Sequence, residues 1–247
     1  MTYCVGMMLD DGLVMMSDTR TNSGVDNIST FRKMYQWSVP GERMIAIMTS
    51  GNLATTQSVI SQLEERGKTP DERHNSLLEA PTMFQIATIV GKLLRDTIAS
   101  SDKDNGQEAA GTFTASMIVA GQIKGMEPRL FLIYPEGNFI EASFDTPFFQ
   151  IGETKYGRPI ILRGYDPKMS FEDAVKLLMV SFDSTIKANL SVGLPLDLLV
   201  MRRDYFEPVH QRRITADDPY FRAISVGWSE ALKLAFESLP DYSFNAK

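Results

Sequence analysis

The sequence predicts an α+β fold in which two stacked sheets are enclosed by layers of helix. Strand-like apolar segments come in two separated groups, one before residue 50 and one between 115 and 151. Each group is followed by segments whose apolar residues recur at helical spacing. Runs of strands alternating with runs of helices point to α+β with helices packed on sheet faces. A chain of 247 residues, 43% of them hydrophobic, can bury a substantial core. No repeat, low-complexity tract or linker divides it, so one domain is expected over 1–247.

The first group opens with Thr2–Leu9 and Leu13–Ser17, apolar runs separated by Asp10-Asp11-Gly12, an Asp-Gly pair of the kind that closes tight hairpins. A polar loop is expected from Asp18 to Ser29, then alternating strand character from Thr30 to Trp37. Met44 to Met48 are unbroken apolar residues, so the strand Arg43–Met48 is expected to be covered on both faces. The period then changes. Leu53, Val59, Ile60 and Leu63 share one face of a helix over Asn52–Arg66, and Phe84, Ala87, Val90, Leu94 and Ile98 form the stripe of a second over Met83–Ala99. Loops are expected at Gly67–Pro81 and Ser101–Gly111.

Strands resume at Ala115–Ala120, Leu130–Tyr134, Asn138–Ile140 and Phe148–Ile151. Ser170 and Asp173 make a start of capping-box type for a helix over Ser170–Ala188, with Ala174, Leu177, Leu178, Ser181 and Phe182 as its inner stripe. Leu198–Met201 and Ala223–Val226 read as strands and Trp228–Leu239 as a terminal helix. The polar stretch Tyr205–Tyr220 reads as a solvated loop or a subunit contact.

Composition excludes several function classes. The net charge of −6 offers no basic footprint, so no nucleic-acid partner is expected. The lone cysteine, Cys4, rules out disulfides and a thiolate metal site and suits a reducing cytoplasm. With only His74 and His210, a histidine-rich metal centre is not expected, and no cofactor is called for. No stretch approaches the ~20 apolar residues of a membrane span, and Asp10 and Asp11 interrupt the N-terminal apolar run too early for a signal peptide. Gly-x-Ser-x-Gly, His-Glu-x-x-His and Cys-x-x-Cys are missing. Gly106 and Gly111 have phosphate-loop separation, but Thr112 stands where lysine is needed.

What chemistry remains centres on Thr2. Removal of Met1 would leave one residue carrying both a nucleophile, its hydroxyl, and a general base, its own α-amine. That amine titrates near ~7.7–8.0, close to neutrality. While Met1 stays on, the nitrogen is an amide and the site is off. Asp18 ends the second strand, and the hairpin would carry it back beside Thr2. Lys33 lies in the expected third strand, where packing does not need it. Near the amine it would favour the neutral base, and a carboxylate would hold it oriented. The alternatives are a solvated turn Asp and a snorkelling strand Lys. Ser50-Gly51-Asn52, at a strand-to-helix junction, could present backbone N–H groups to an oxyanion or be a simple capped turn. Cys4 reads as a buried strand thiol.

Thr2-Tyr3-Cys4-Val5-Gly6, Ser17-Asp18-Thr19-Arg20-Thr21-Asn22, Gly24-Val25-Asp26, Lys33 and Ser50-Gly51-Asn52-Leu53-Ala54-Thr55-Thr56 occur in that order. With Gly152-Glu153-Thr154-Lys155-Tyr156-Gly157 and Asn189-Leu190-Ser191-Val192-Gly193, the chain resembles the proteasome-type peptidases of the N-terminal-nucleophile hydrolases, most closely the bacterial Anbu branch, the proposed ancestral β-subunit. The resemblance implies a four-layer αββα sandwich with Thr2 at the mouth of the inter-sheet cleft. By matched position it implies Thr2 as nucleophile and amine base, Asp18 and Lys33 as electrostatic partners, the Gly51 amide as oxyanion donor, and Ser191 as support for the amine. The chain departs from the pattern at Ala188, where typical β-subunits carry an Asp. The resemblance further implies a homo-oligomeric ring or ring-like assembly and a peptide or amide substrate. Related bacterial peptidases dock an ATP-driven unfoldase, but no residue here identifies one. The rivals are an N-terminal-nucleophile amidase acting on a non-peptide amide, and a catalytically silent ring scaffold.

Overall fold

A computed structural model describes residues 2–22, 28–68, 76–105 and 112–244. The expected features at Met1, Gly24-Val25-Asp26, His74 and the Gly106/Gly111 pair, with residues 23–27, 69–75 and 106–111 of the three expected polar loops, lie outside the described residues. In chain order the elements are β1 (Tyr3–Leu9), β2 (Gly12–Asp18), β3 (Arg20–Asn22), β4 (Ile28–Thr30), β5 (Met34–Val39), β6 (Arg43–Gly51), α1 (Leu53–Lys68), α2 (Met83–Asn105), β7 (Ala115–Ile123), β8 (Arg129–Ile133), β9 (Phe139–Glu141), β10 (Phe148–Gly152), α3 (Arg158–Gly164), α4 (Phe171–Ala188), β11 (Leu196–Arg202), β12 (Pro208–Ile214) and α5 (Pro219–Glu237).

Two five-stranded sheets, β10-β1-β2-β11-β12 and β5-β6-β7-β8-β9, form the centre, and all their pairings are antiparallel. Three apolar clusters mark the three interfaces of a four-layer sandwich. One joins β6 and β7 to α1 and α2 through Ile45, Ile47, Val59, Leu63, Val90 and Leu94. A second joins β1, β2 and β11 to α3 and α4 through Tyr3, Val5, Met7, Ile161, Leu178 and Phe182. The third, with Cys4, Met15, Met44, Met48, Ile118 and Phe149, fills the space between the sheets.

Strand alternation decides which side of β1 each residue serves. Tyr3, Val5 and Met7 face the helices, while Cys4 faces the opposite sheet. By the same parity Thr2 belongs to the inter-sheet side, where it is buried. β6 is covered on both faces over Arg43–Thr49, as its unbroken apolar run predicts.

Several local expectations need correction. The expected strand Thr30–Trp37 is broken: Thr30 ends β4, and Phe31 to Lys33 form a connection before β5. The expected loop Asp18–Ser29 contains the short β3–β4 pair. Phe84 is half exposed and stacks edge-on against Phe139, 5.4 Å between centroids, so the buried stripe of α2 runs instead through Met83, Ile86, Ala87, Val90 and Leu94. Both α1 and α2 outlast their expected ends. Ala223–Val226 is helical, inside α5. Asp218 caps that helix by accepting from the Phe221 amide, and Pro219 occupies its first turn, so the cap overrides the strand-like composition. Tyr205–Tyr220 is not simply a loop, because it contains β12, an exposed edge strand that among the described residues pairs with β11 alone. Its Arg, His and Gln content is what an edge tolerates. The seven-residue α3 was not expected. α4 starts as read, with Ser170 accepting from the Asp173 amide at 3.0 Å. Among the described residues no helix is long and apolar enough to cross a membrane.

Candidate active site

The site forms where the N-terminus of β1 meets the C-terminal end of β2 and the segment leading into β11. Asp18, the last residue of β2, lies opposite Leu196 at the start of β11. Its side chain is fully buried, and three groups converge on it. Oδ1 accepts from the Tyr3 amide at 3.0 Å and from Lys33 Nζ at 2.8 Å, and Oδ2 accepts from the Gly193 amide at 3.4 Å. Burial pushes the Asp18 carboxyl up, and the Lys33 ammonium and the two amide donors pull it back.

Lys33 reaches this carboxylate from the β4–β5 connection, not from within a strand. Its carbonyl accepts from the Thr49 amide, extending the β5–β6 ladder by one bond. Its ammonium also donates to the Arg20 carbonyl at 2.5 Å. Lys33 is buried, with two fixed acceptors, which sets aside the snorkelling alternative. The solvated-turn alternative for Asp18 fails for the same reason.

Gly51 and Gly152 close the other side. Gly51 ends β6 at φ +108°, and a Cβ there would lie 2.4 Å from the Thr114 carbonyl. Gly152 ends β10 at φ +85°, and a Cβ there would lie 1.9 Å from the Thr2 carbonyl and 3.1 Å from Ser50 Oγ. The Thr2 carbonyl and the Ser50 hydroxyl therefore both approach Gly152, and Gly51 follows Ser50 at the end of β6. Asn52 does act as the helix cap, accepting from the Thr55 amide at 3.0 Å. A cavity of about 290 Å³ opens at Gly51 and Gly152, lined also by Ser50, Ser116, Tyr134 and Thr154 among others.

Ser191 arrives with the segment between α4 and β11. Its amide donates to Asn189 Oδ1 at 2.9 Å, and two residues later Gly193 bonds Asp18. Sequence reading missed the Gly193 amide and the role of Gly152. Both lie in stretches quoted for the resemblance, where glycines flanking polar residues were the available signal. Cys4 is buried between the sheets with Sγ 3.7 Å from the Thr49 carbonyl, and burial, reinforced by Asp18, pushes its thiol well up, which fits a structural thiol. His210 is exposed on β12, opposite Val200. That is four positions along β11 from Leu196, or ~13 Å.

The residue after Thr2 is anchored as firmly as Asp18. The Tyr3 hydroxyl is 2.7 Å from Ser181 Oγ and accepts from Gln150 Nε2 at 2.6 Å, while Ser181 donates to the Gly157 carbonyl at 3.1 Å. Burial pushes the phenol up to about 12, so it stays neutral. Tyr3→Phe strands the Gln150 amide in the core and takes one partner from Ser181, and is expected to cost about 1–3 kcal/mol, read as a lower urea midpoint with an unchanged slope. An unchanged midpoint would show that the network contributes nothing.

Among the described residues no cluster of three or more His, Cys, Asp or Glu is set to hold a metal ion. The proteasome subunit family matches residues 2–200. A proteasome subunit beta from Methanopyrus kandleri is 21% identical over 82% of this chain and 88% of its own length. Among solved structures, Anbu (ancestral beta-subunit) from Yersinia bercovieri is 45% identical, covering 99% of this chain and 100% of that one, with a TM-score of 0.91. The helical assembly of the Anbu complex from Pseudomonas aeruginosa is 46% identical over 100% of both chains, with a TM-score of 0.92. With this coverage, and with the αββα layering and the Asp18–Lys33 pair at the head of β1, the chain belongs to the proteasome subunit family, in its Anbu branch.

Proposed function

We propose that the chain is a threonine-type amide hydrolase, one peptidase domain over 1–247, whose nucleophile is Thr2 after loss of Met1. The observation that carries the reading is the single carboxylate of Asp18 held at once by the Tyr3 amide and by Lys33. It sets a buried cation at the head of β1, close to the amide that follows Thr2. In this reading the Thr2 hydroxyl attacks a carbonyl carbon and its α-amine takes the proton. The Gly51 amide donates to the oxyanion, and the protonated amine returns its proton to the leaving nitrogen. Water, activated by the same amine, then releases the acyl group from Thr2. Lys33 disfavours protonation of the resting amine, and Asp18 keeps Lys33 charged and aimed. Ser191 supports the amine from the α4–β11 side. A peptide or amide substrate would enter by the cavity beside Gly51.

The working form is a homo-oligomer in the reducing cytoplasm. The Pseudomonas aeruginosa relative forms a helical assembly. The end of α5 and the residues after it leave Leu234, Phe236, Leu239 and Phe244 62–92% exposed, an apolar run that an assembly would cover. Sedimentation is expected to show multimers, and Phe236→Glu with Leu239→Glu to dissociate them. A wild type that sediments as a monomer would remove this part of the reading.

Intact mass after treatment with a threonine-directed covalent inhibitor tests the chemistry. Loss of Met1 and one adduct per chain are expected, and Thr2→Ala abolishes the adduct. A processed chain that takes no adduct supports the silent-scaffold reading instead.

A further inference from the structure

Ala188, where the resemblance implies an Asp, is the last residue of α4. The Glu153 amide donates to the Thr2 carbonyl at 2.6 Å, so the two residues are hydrogen-bonded neighbours across the β1–β10 edge. Glu153 is 9% exposed. Its Oε1 accepts from the Lys155 amide at 3.2 Å and its Oε2 from Asn189 Nδ2 at 2.9 Å. Asn189 in turn accepts from the Ser191 amide, so its side chain ties the Glu153 carboxylate to the segment that carries Ser191 and Gly193.

Charge balance gives this arrangement its meaning. Asp18 and Lys33 neutralise one another in a buried pair. Among the described residues Glu153 is in no ion pair with Lys or Arg, and its contacts are neutral N–H donors. A buried carboxylate without a cation is costly, and so is a buried ammonium without an anion. Removing Met1 creates one positive charge on Thr2, a buried residue already bonded to Glu153.

We propose that Glu153 is the counter-ion of the Thr2 α-ammonium and that Asn189 is the positioning residue that aims it, together replacing the acid missing at Ala188. The inference rests on the reading of Thr2 as nucleophile and base, and it deepens that reading. In the resting site Lys33 pulls the amine toward the neutral form and Glu153 toward the charged one. During attack Glu153 stabilises the ammonium formed when the hydroxyl proton moves to the amine.

The test titrates the amine without substrate. Wild-type protein, Glu153→Gln and Asn189→Ala are pulsed with acetic anhydride across pH 5–10, and acetylation of Thr2 is read from the mass of the N-terminal peptide. A nearby carboxylate favours the ammonium, so removing it is expected to lower the pH of half-maximal labelling by about 1. Glu153→Asp is expected to restore most of it, and Asn189→Ala to lower it by a smaller amount. The acid limb of adduct formation with the threonine-directed inhibitor is expected to move in parallel. Should Glu153→Gln fail to fold, Asn189→Ala decides. An unchanged half-labelling pH in the variants, in a wild type that does form the adduct, overturns this inference alone. A retained Met1, or a wild type that forms no adduct, overturns the nucleophile reading and this inference with it.

Discussion

Lys33→Met is expected to lose about 3–5 kcal/mol of folding stability at neutral pH and to slow covalent modification of Thr2 by about 10²–10³-fold. The two losses have one source. The Asp18 and Lys33 side chains are 0% and 5% exposed and 2.8 Å apart, so removing the ammonium leaves a carboxylate in the core held only by amide donors. Without its cation, burial raises the Asp18 carboxyl further above its unfolded value of about 3.9.

The sign of the pH dependence follows. A carboxyl whose folded pKa lies above its unfolded one binds its proton more tightly when folded. The variant's deficit is therefore smallest in acid, grows as pH rises from the wild-type folded pKa to the higher folded pKa of the variant, and levels off above it. Urea unfolding of both proteins from pH 4 to 8 measures this. Lys33→Met combined with Asp18→Asn is expected to recover stability at pH 7 but not reactivity. A Lys33→Met deficit below 1 kcal/mol that does not vary with pH would show the pair to be electrostatically idle.

Gly152→Ala is expected to cost about 3 kcal/mol or more and to displace Thr2. At φ +85° the residue sits where side chains are disfavoured, and the added Cβ would lie 1.9 Å from the Thr2 carbonyl oxygen. The strand end must shift, carrying the Glu153 amide off that carbonyl as well. Gly125→Ala separates backbone strain from the clash, because Gly125 has a similar φ of +79° with nothing within 4 Å of its Cβ position. That variant is expected to lose about 1 kcal/mol and to keep full Thr2 reactivity. Equal losses from the two variants would mean that the Gly152–Thr2 approach is not a constraint.

Elements whose local pattern and long-range packing agree were legible in the sequence. The β1–β2 hairpin, the doubly covered β6 and the capped α4 each carry a strong period and a turn or cap at the right place. β12 and the start of α5 were not legible, for opposite reasons. β12 is a polar edge strand with little apolar alternation to betray it. Ala223–Val226 looks like a strand until the Asp218 cap and Pro219 are weighed against it. Lys33 was placed on the wrong kind of element, yet beside the right carboxylate, since one residue's misfit with its neighbours is a local signal.

The sequence by itself determined the alternation of β1, which sends Tyr3 to the helices and Cys4 to the opposite sheet and so sets the side on which Thr2 lies. It also determined the hairpin that returns Asp18 to the head of that strand. Only the tertiary structure decided which groups gather around Thr2 and Asp18. Glu153, Asn189 and Gly193 come from the end of β10 and the α4–β11 connection, and neither segment has a local period that points at residue 2. Their meeting follows from pairing β10 and β11 on either side of the β1–β2 hairpin. That pairing is a long-range choice, set by burying three apolar interfaces at once and not by the residues that end up sharing a hydrogen bond.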